Sequence, residues 1–197
     1  YIDLYQSHWD DPETPFEDVL GTYQELIKAG KVRAIGASNL TPERLTESLD
    51  VAKKHDLPRY ESLQPLYNLY DRSAFEDGLE AICRDNELGV INYYSLASGF
   101  LTGKYRSKDD LGQSARGQTV EKYLTDRGSR IIAALDQVAR ANDAKPAQIA
   151  IAWLIARPSI TAPIASATRL TQLNELLDAA QIKLDAEAIA LLDKASA

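Results

Sequence analysis

The feature that most constrains the fold is a regular alternation of short apolar runs with segments of helical periodicity. Five apolar runs of strand length begin near residues 1, 32, 62, 90 and 160. Strands that alternate with helices predict parallel βαβ units, whose buried strands carry apolar side chains on both faces. Two folds fit, a doubly wound open sheet and a (β/α)₈ barrel, but no G-x-G-x-x-G follows the first strand to support the open sheet.

Local signals set the expected boundaries of these elements. We predict strands at 1–8, 32–37, 62–66, 90–94 and 160–164, and helices at 15–29, 42–55, 73–87, 127–141, 145–156, 170–180 and 186–195. Thr14 is the expected N-cap of the first helix, because Pro15 suits the first helical position and Glu17 completes a capping box. Thr41 is the expected N-cap of the second helix. Residues 99–126 show no periodicity, which is typical of a functional or mobile segment.

The composition limits which partners and which cellular location we expect for the chain. The chain has 197 residues, a net charge of −7 and a pI of about 4.9, so its surface repels nucleic acid. The single cysteine, Cys83, lies in a helical pattern and is expected to be a buried apolar residue. No apolar stretch has membrane-spanning length and no signal peptide is visible, so we expect a cytoplasmic protein without a membrane partner. No metal site is expected.

The start of the sequence is unusual for a complete domain. The first strand-like run begins at Tyr1, and the chain contains no methionine. We therefore interpret the chain as a fragment, or as a product whose N-terminal part is missing. Five β/α units alone form an open barrel with two exposed edge strands, and the unpaired backbone groups of such strands pair with other chains. Instability or self-association through the open barrel edges is the expected consequence.

Polar or aromatic residues follow each of the five predicted strands. In a barrel the functional site lies at the carboxyl ends of the strands. The residues at these ends are His8, Trp9, Asp10, Ser38, Asn39, Gln64, Tyr93, Tyr94, Ser95 and the segment 165–168. Loops are polar in most proteins, so each position alone indicates little, but the pattern over five strands predicts a single site.

Several motifs together resemble the aldo-keto reductase family. The run DLYQSHW at 3–9 looks like the family's fourth strand, which ends in the catalytic histidine, and GKVRAIGASN at 30–39 is similar to its fifth. Further matches are LQPLYN at 63–68, the seventh strand and cofactor loop at 90–105, and the tail at 163–177. The resemblance implies a TIM (β/α)₈ barrel with NADP(H) as cofactor, here a single partial domain over 1–197 with about five β/α units and the first three missing.

The resemblance implies an oxidoreductase that reduces aldehydes or ketones to alcohols. His8 would donate a hydrogen bond to the carbonyl oxygen of a small substrate, although a lone histidine more often satisfies a local carbonyl. Trp9 and the segment 106–126 would lie on the substrate side. The family's catalytic aspartate, tyrosine and lysine belong to the first three units and have no match here, so this chain is expected to be inactive alone. Alternatives are a non-catalytic nucleotide-binding or self-associating module and, less well supported, a different phosphate-binding barrel.

The same resemblance assigns the cofactor site. Ser38, Asn39 and Gln64 would hold the nicotinamide carboxamide, because their groups complement its acceptor and donors, and Tyr93 would stack on the ring. The pyrophosphate loop would comprise Leu96, Ser98, Gly99, Leu101 and Lys104. Hydroxyls and an arginine at the start of the last long helix are typical of a phosphate site, which favours NADPH over NADH. Its residues are Ser166, Thr168, Arg169 and Gln172, with Glu175 expected near the adenine.

Overall fold

The computed structural model describes residues 1–113 and 117–197. The chain divides into two compact units. The strand unit comprises Tyr1–Pro65 and Ser73–Ile91, and the helical unit comprises Leu66–Arg72 and Asn92–Ala197. The interpretation of residues 1–197 as one partial domain stays a prediction.

The strand unit is a parallel sheet with helices in the connections between its strands. Its elements are β1 (Ile2–Ser7), α1 (Phe16–Lys28), β2 (Val32–Ser38), α2 (Pro42–His55), β3 (Ser62–Gln64), α3 (Ser73–Glu76), α4 (Leu79–Asp85) and β4 (Gly89–Val90). The four strands lie in the order β1-β2-β3-β4, and every neighbouring pair is parallel. The predicted parallel α/β organisation is therefore confirmed.

Apolar side chains at helical and strand spacing build the core of this unit. Leu20 on α1 and Leu45 on α2 are fully buried, as are Ile35 on β2, Leu63 on β3 and Val90 on β4. Full burial of such a side chain contributes about 1.5–3 kcal/mol. Because this packing fixes which strand faces are buried, it also fixes where the polar residues at the strand ends point.

Two of the helix boundaries in this unit differ from the sequence prediction. The Thr41 N-cap is confirmed, since its Oγ1 accepts a hydrogen bond from the Arg44 backbone N–H (3.3 Å). The Thr14 cap is wrong: Thr14 Oγ1 donates to Asp11 Oδ2 (2.8 Å), and α1 starts after Pro15 without a side-chain cap. The predicted helix at 73–87 is two helices, α3 and α4, which are separated near Gly78, whose φ of 121° no other residue adopts readily.

The described part of the helical unit contains short helices followed by four longer ones. The short ones are 3₁₀ turns at Ala97–Thr102, where Ser98 and Gly99 interrupt the helical backbone, 3₁₀ helices at Lys108–Gln113 and Glu121–Tyr123, and α5 at Gly117–Val120. The longer ones are α6 (Asp126–Ala141), α7 (Pro146–Ile155), α8 (Leu170–Ala179) and α9 (Ala186–Ser196). The described residues of the segment 99–126, which lacks sequence periodicity, thus form mostly short helices of one or two turns. Residues 114–116 lie outside the described part of the chain. None of the described helices is long and apolar enough to cross a membrane.

The predicted fifth strand at 160–164 is wrong. The described residues there form no strand, and the sheet has four. The reason is a shortage of backbone donors. The N–H of Ile160 donates to Arg157 O (3.1 Å) in the turn after α7, and Pro163 has no N–H. Ile164 N–H does donate to Asn92 O (3.0 Å), which anchors this segment without making it a strand.

A polar network around Trp153 fastens α9 to the rest of the helical unit. Trp153 on α7 is fully buried, and its indole Nε1 donates to Asp193 Oδ1 on α9 (2.9 Å). Arg157 donates to the other carboxylate oxygen of Asp193 (3.2 Å), and Arg72 donates to Ser196 Oγ (2.9 Å). Because these groups satisfy one another, the polar atoms are compensated inside the unit rather than by solvent.

Cys83 on α4 is buried, as the sequence predicts. Its desolvation, with a smaller contribution from Glu80, raises the pKa of its thiol to about 12. A thiol with such a pKa is protonated at neutral pH and behaves as a small apolar side chain.

Candidate functional site

The end of β1 carries His8 and Trp9 on an exposed turn. Their ring centroids are 5.2 Å apart, and Trp9 is 70% exposed. Asn39 holds this turn from the end of β2, because its side-chain Nδ2 donates to the backbone carbonyl of His8 (2.8 Å). Asn39 has a left-handed φ of 56°, which asparagine tolerates better than most residues. The structure thus brings His8 and Asn39 together and gives Asn39 a structural task that the sequence did not predict.

A second contact that the sequence did not predict fixes the same turn. Arg44, in the first turn of α2, donates from Nε and Nη2 to the two carboxylate oxygens of Asp10 (2.6 and 2.8 Å). Its guanidinium also lies 4.1 Å from the ring centroid of Phe16 and pairs with Glu47. The hydrogen bond with Asp10 is the largest cause that raises the pKa of Arg44. The only sequence signal was an arginine at a helix start and an aspartate two residues after the histidine.

Ser38 and Gln64 lie together at the carboxyl ends of β2 and β3, where they are partners in the strand register. Ser38 is buried, and its Oγ donates to the backbone carbonyl of Gln64 (2.7 Å). The side-chain Nε2 of Gln64 donates to Gln6 Oε1 on β1 (3.0 Å). Since the one hydroxyl proton of Ser38 is engaged, Ser38 offers a ligand acceptor lone pairs. Gln6 is a further polar residue on this face that the sequence did not predict.

In the helical unit, two adjacent tyrosines follow Asn92. The rings of Tyr93 and Tyr94 lie 5.2 Å apart at 63°, and Tyr93 forms a parallel bridge with Leu66. Burial is the largest cause that raises the pKa of Tyr93, so its phenol is neutral at physiological pH. Asn92 is fully buried and donates to Tyr67 O (2.8 Å), which holds the backbone next to Tyr93.

The predicted pyrophosphate loop has an unusual backbone. Ala97, Ser98 and Gly99 have φ of 48°, 58° and 97°, and Leu96 O accepts hydrogen bonds from the N–H groups of Gly99 (2.8 Å) and Leu101 (3.2 Å). A Cβ on Gly99 would lie 3.8 Å from Lys104 Nζ. The structure therefore brings Gly99 and the Lys104 ammonium together. The side chain of Leu101 is fully buried, so any contact that Leu101 makes with a ligand involves its backbone.

Three aromatic rings pack beneath this loop. Phe100 stacks on Tyr123 at 5.4 Å and 21°, and the ring of Tyr70 meets Tyr123 edge-on at 4.8 Å. The Tyr123 hydroxyl donates to Asp71 Oδ2 (2.9 Å). Such a cluster holds the loop rigidly at one point, because aromatic pairs add about 0.5–1.5 kcal/mol to the burial of their area.

The start of α8 holds the predicted phosphate residues. Ser166, Thr168 and Arg169 are exposed, and Arg169 is the N-cap. Gln172 Oε1 accepts hydrogen bonds from both the backbone N–H (3.0 Å) and the hydroxyl (3.1 Å) of Thr168. Gln172 therefore closes the loop before the helix with its acceptor. Its Nε2 donors are not used in these bonds.

Glu175, one turn further along α8, does not stand as a free carboxylate. It forms an ion pair with Lys145, the residue before α7. The sequence did not predict this contact of Lys145, since no local pattern relates position 145 to position 175. A ligand amine that approaches Glu175 must compete with this lysine or share the second carboxylate oxygen with it.

Comparisons with known proteins agree with the motifs. The sequence profile of the aldo/keto reductase family matches residues 1–197. The chain is 30% identical over 212 residues to protein tas of Escherichia coli, and 29% identical over 188 residues to the aldo-keto reductase yakc [NADP(+)] of Schizosaccharomyces pombe. These alignments cover 98% and 93% of the chain, but 61% and 54% of the two relatives. The chain therefore spans little more than half the length of the curated relatives it matches.

A solved structure shares the fold as well as the sequence. The chain superposes with a TM-score of 0.78 and 30% identity on a thermostable aldo-keto reductase crystallised with the inhibitor epalrestat. This superposition covers 99% of the chain and 60% of the solved protein. With a family profile that matches the whole chain and a structural neighbour of the same family, the chain belongs to the aldo/keto reductase family.

Proposed function

We propose that this chain serves an NADPH-dependent oxidoreductase that reduces aldehydes or ketones to alcohols. The observation that carries the proposal is the pairing of Ser38 and Gln64 at the ends of two neighbouring parallel strands. The side chain of Gln64 presents amide groups there, and amides complement the carboxamide of a nicotinamide. When bound, NADPH supplies the hydride for the carbonyl carbon.

Roles in the strand unit follow from the groups that each residue has available. His8 is exposed and donates a hydrogen bond to the carbonyl oxygen of the substrate, where negative charge develops. The exposed indole of Trp9 forms an apolar wall beside a small carbonyl compound. Ser38, Asn39 and Gln64 hold the carboxamide. Since one N–H of Asn39 is bound to the His8 carbonyl, Asn39 also couples the cofactor-binding residues to the histidine.

Roles in the helical unit concern the rings of the cofactor and its phosphate groups. Tyr93 stacks on the nicotinamide, and the backbone of Leu96, Ser98, Gly99 and Leu101 lies along the pyrophosphate with the charge of Lys104 beside it. Ser166, Thr168, Arg169 and Gln172 take the 2′-phosphate, with Arg169 as the cation. Glu175 contacts the adenine, through the carboxylate that Lys145 also binds. The name of the fission yeast relative, which includes NADP(+), supports this choice of cofactor.

We further propose that residues 1–197 by themselves bind NADP(H) without turning over a substrate. The family's proton-donating tyrosine, with its lysine and aspartate, matches no position in this sequence, and general acid catalysis contributes roughly 10²–10⁴-fold to a rate. The carbonyl substrate therefore stays a prediction for the activity of a protein that contains those residues. An Escherichia coli relative, 31% identical, is an L-glyceraldehyde 3-phosphate reductase, which illustrates the size of substrate we expect. The cytoplasmic location also stays a prediction.

A second candidate function is self-association. In the strand unit, β1 is an edge strand of the described sheet, and its apolar residues Ile2 and Tyr5 are 47% and 44% exposed. An edge strand with exposed apolar side chains is a template for pairing with another chain. The negative net charge opposes association with nucleic acid but does not prevent β1 from pairing with another chain.

Calorimetric titration of the purified chain with NADPH tests the first proposal. We expect saturable binding that Ser38→Ala weakens and that Ser129→Ala, an exposed serine on α6, leaves unchanged. Absence of binding by the unaltered chain would refute the cofactor proposal. Light scattering on the same sample tests the second: a mass of 21.8 kDa at all concentrations would exclude self-association.

A further inference from the structure

We propose that Gln6 is a positioning residue that fixes which end of the Gln64 amide faces the nicotinamide carboxamide. The inference rests on the cofactor site proposed above and adds a residue that acts through Gln64 rather than on the cofactor itself. Four residues on three neighbouring strands carry it.

Strand register places these residues on one face of the sheet. Gln6 on β1 is the partner of Gly36 on β2, and Gly36 is the partner of Ser62 on β3. Partners on neighbouring parallel strands point to the same face, and so do residues two apart on one strand. Gln64, two residues after Ser62, therefore lies on the same face as Gln6, with one strand between them.

The glycine at position 36 allows the Gln6 side chain to cross that intervening strand. A Cβ on residue 36 would lie 2.3 Å from Ser62 Oγ, 3.1 Å from Gln6 Cγ and 3.2 Å from Gln6 Nε2. A carbon atom does not lie 2.3 Å from an oxygen to which it is not bonded, so any side chain at 36 would displace the Ser62 hydroxyl, and it would push the Gln6 side chain away by a few tenths of an ångström. Gly36 thus leaves a channel over β2 through which Gln6 reaches β3.

The hydrogen bond at the end of this channel has a defined direction. Gln64 Nε2 donates to Gln6 Oε1 (3.0 Å). An amide has donors at one end and an acceptor at the other, so this bond turns Gln64 Oε1 away from Gln6. The acceptor that remains suits the NH₂ group of a nicotinamide carboxamide. A Gln64 without this partner is free to offer either end.

Stability alone does not explain a glutamine at position 6. Its own Nε2 is buried and has no hydrogen-bond partner among the described residues, and Ser62 Oγ is in the same situation. A buried, unpartnered polar group destabilises a fold by about 1–3 kcal/mol. Within the described part of the chain, only the Oε1 acceptor of the Gln6 amide makes a hydrogen bond, and this bond orients the amide of Gln64.

Two variants separate the acceptor from the shape of the side chain. Gln6→Met keeps the length and removes the acceptor, whereas Gln6→Glu keeps the acceptor and discards the unpartnered N–H group. Gln137→Met, at an exposed position on α6, is the matched control for the chemical change. Each purified variant is titrated calorimetrically with NADP⁺ and with its 3-acetylpyridine analogue, in which a ketone replaces the carboxamide and no NH₂ is present.

We expect the unaltered chain to bind NADP⁺ roughly threefold to tenfold more tightly than the analogue, the equivalent of one net hydrogen bond. Gln6→Met should lose this preference by weakening NADP⁺ alone, while Gln6→Glu and Gln137→Met should keep it. A Gln6→Met variant that retains the full preference would overturn the inference. An unaltered chain that binds neither nucleotide would refute the proposed cofactor function itself, a different and distinguishable result.

A measurement without cofactor guards against misfolding of a variant. The side-chain NH₂ resonances of Gln64 in an ¹⁵N-correlated NMR spectrum should shift in Gln6→Met and return close to their original positions in Gln6→Glu. Unchanged Gln64 resonances in Gln6→Met would overturn the inference whatever the binding data show. If Gln6→Met does not fold, Gln6→Ala removes the same acceptor and takes its place in both experiments.

Discussion

Replacing Arg44 with methionine tests the ion pair that anchors the turn after β1. Arg44 makes two short hydrogen bonds to Asp10, and the two side chains are 19% and 15% exposed. Removing one partner of a fully buried pair costs about 3–5 kcal/mol, because the other charge is left without compensation. Since both groups keep some contact with water, we expect Arg44→Met to lower the free energy of unfolding by about 2–3 kcal/mol.

The strand unit contains a matched control for this change. Arg33 and Asp3 form an ion pair of the same chemistry at 2.7 Å, but their side chains are 63% and 73% exposed. Exposed pairs contribute about 0–1 kcal/mol, so Arg33→Met should change stability by less than about 1 kcal/mol. Urea denaturation followed by circular dichroism gives both values. Equal losses for the two variants would refute the argument that burial makes the Arg44 pair important.

A double-mutant cycle assigns the loss to the pair itself. Adding Asp10→Leu to Arg44→Met removes the unpaired carboxylate, so the double variant should be more stable than Arg44→Met alone. Arg44→Lys should recover only part of the stability, because a lysine cannot make the two parallel bonds. A double variant as unstable as the sum of its single changes would show that Asp10 and Arg44 act independently.

Three further predictions concern the phosphate residues, the cysteine and the indole anchor. Arg169→Ala should weaken NADPH binding at least tenfold more than NADH binding. Arg130→Ala on α6 is the control and should change neither. An equal effect of Arg169→Ala on both nucleotides would show that Arg169 does not bind the 2′-phosphate. Cys83 should react with a disulfide reagent at pH 8 about a thousandfold more slowly in the folded than in the unfolded chain, because its pKa is raised from 9.0 to about 12; rapid labelling of the folded chain would contradict this. Trp153→Phe should lower the free energy of unfolding by about 2–3 kcal/mol through the lost Asp193 bond and the smaller ring, and a loss below 1 kcal/mol would exclude this anchor as a main support of α9.

The elements that sequence predicted well are those whose signals are local. The cap at Thr41, the burial of Cys83 and the helix α6 all follow from residues within a few positions of one another. The predicted strand at 160–164 is wrong for a reason that is also local. Pro163 has no backbone N–H to donate to a neighbouring strand, and a prediction from the apolar pattern alone does not take this into account.

Side-chain partners that are distant in sequence could not be predicted in this way. Gln6 and Gln64 meet because the strand register and a glycine between them allow it, and no periodic pattern connects their positions. The same holds for the ion pair of Lys145 with Glu175. The motifs therefore suggested the candidate site residues, whose roles stay predictions, whereas the contacts that these side chains make required three-dimensional structure.

The distribution of the two tryptophans has a practical consequence. Trp9 lies in the strand unit and is 70% exposed, whereas Trp153 lies in the helical unit and is fully buried. An exposed indole emits at longer wavelength than a buried one and is quenched by iodide, so the two emissions can be separated spectroscopically. Each compact unit thus carries its own intrinsic fluorophore. Loss of the short-wavelength emission reports the opening of the helical unit, while iodide accessibility reports on the turn that carries His8.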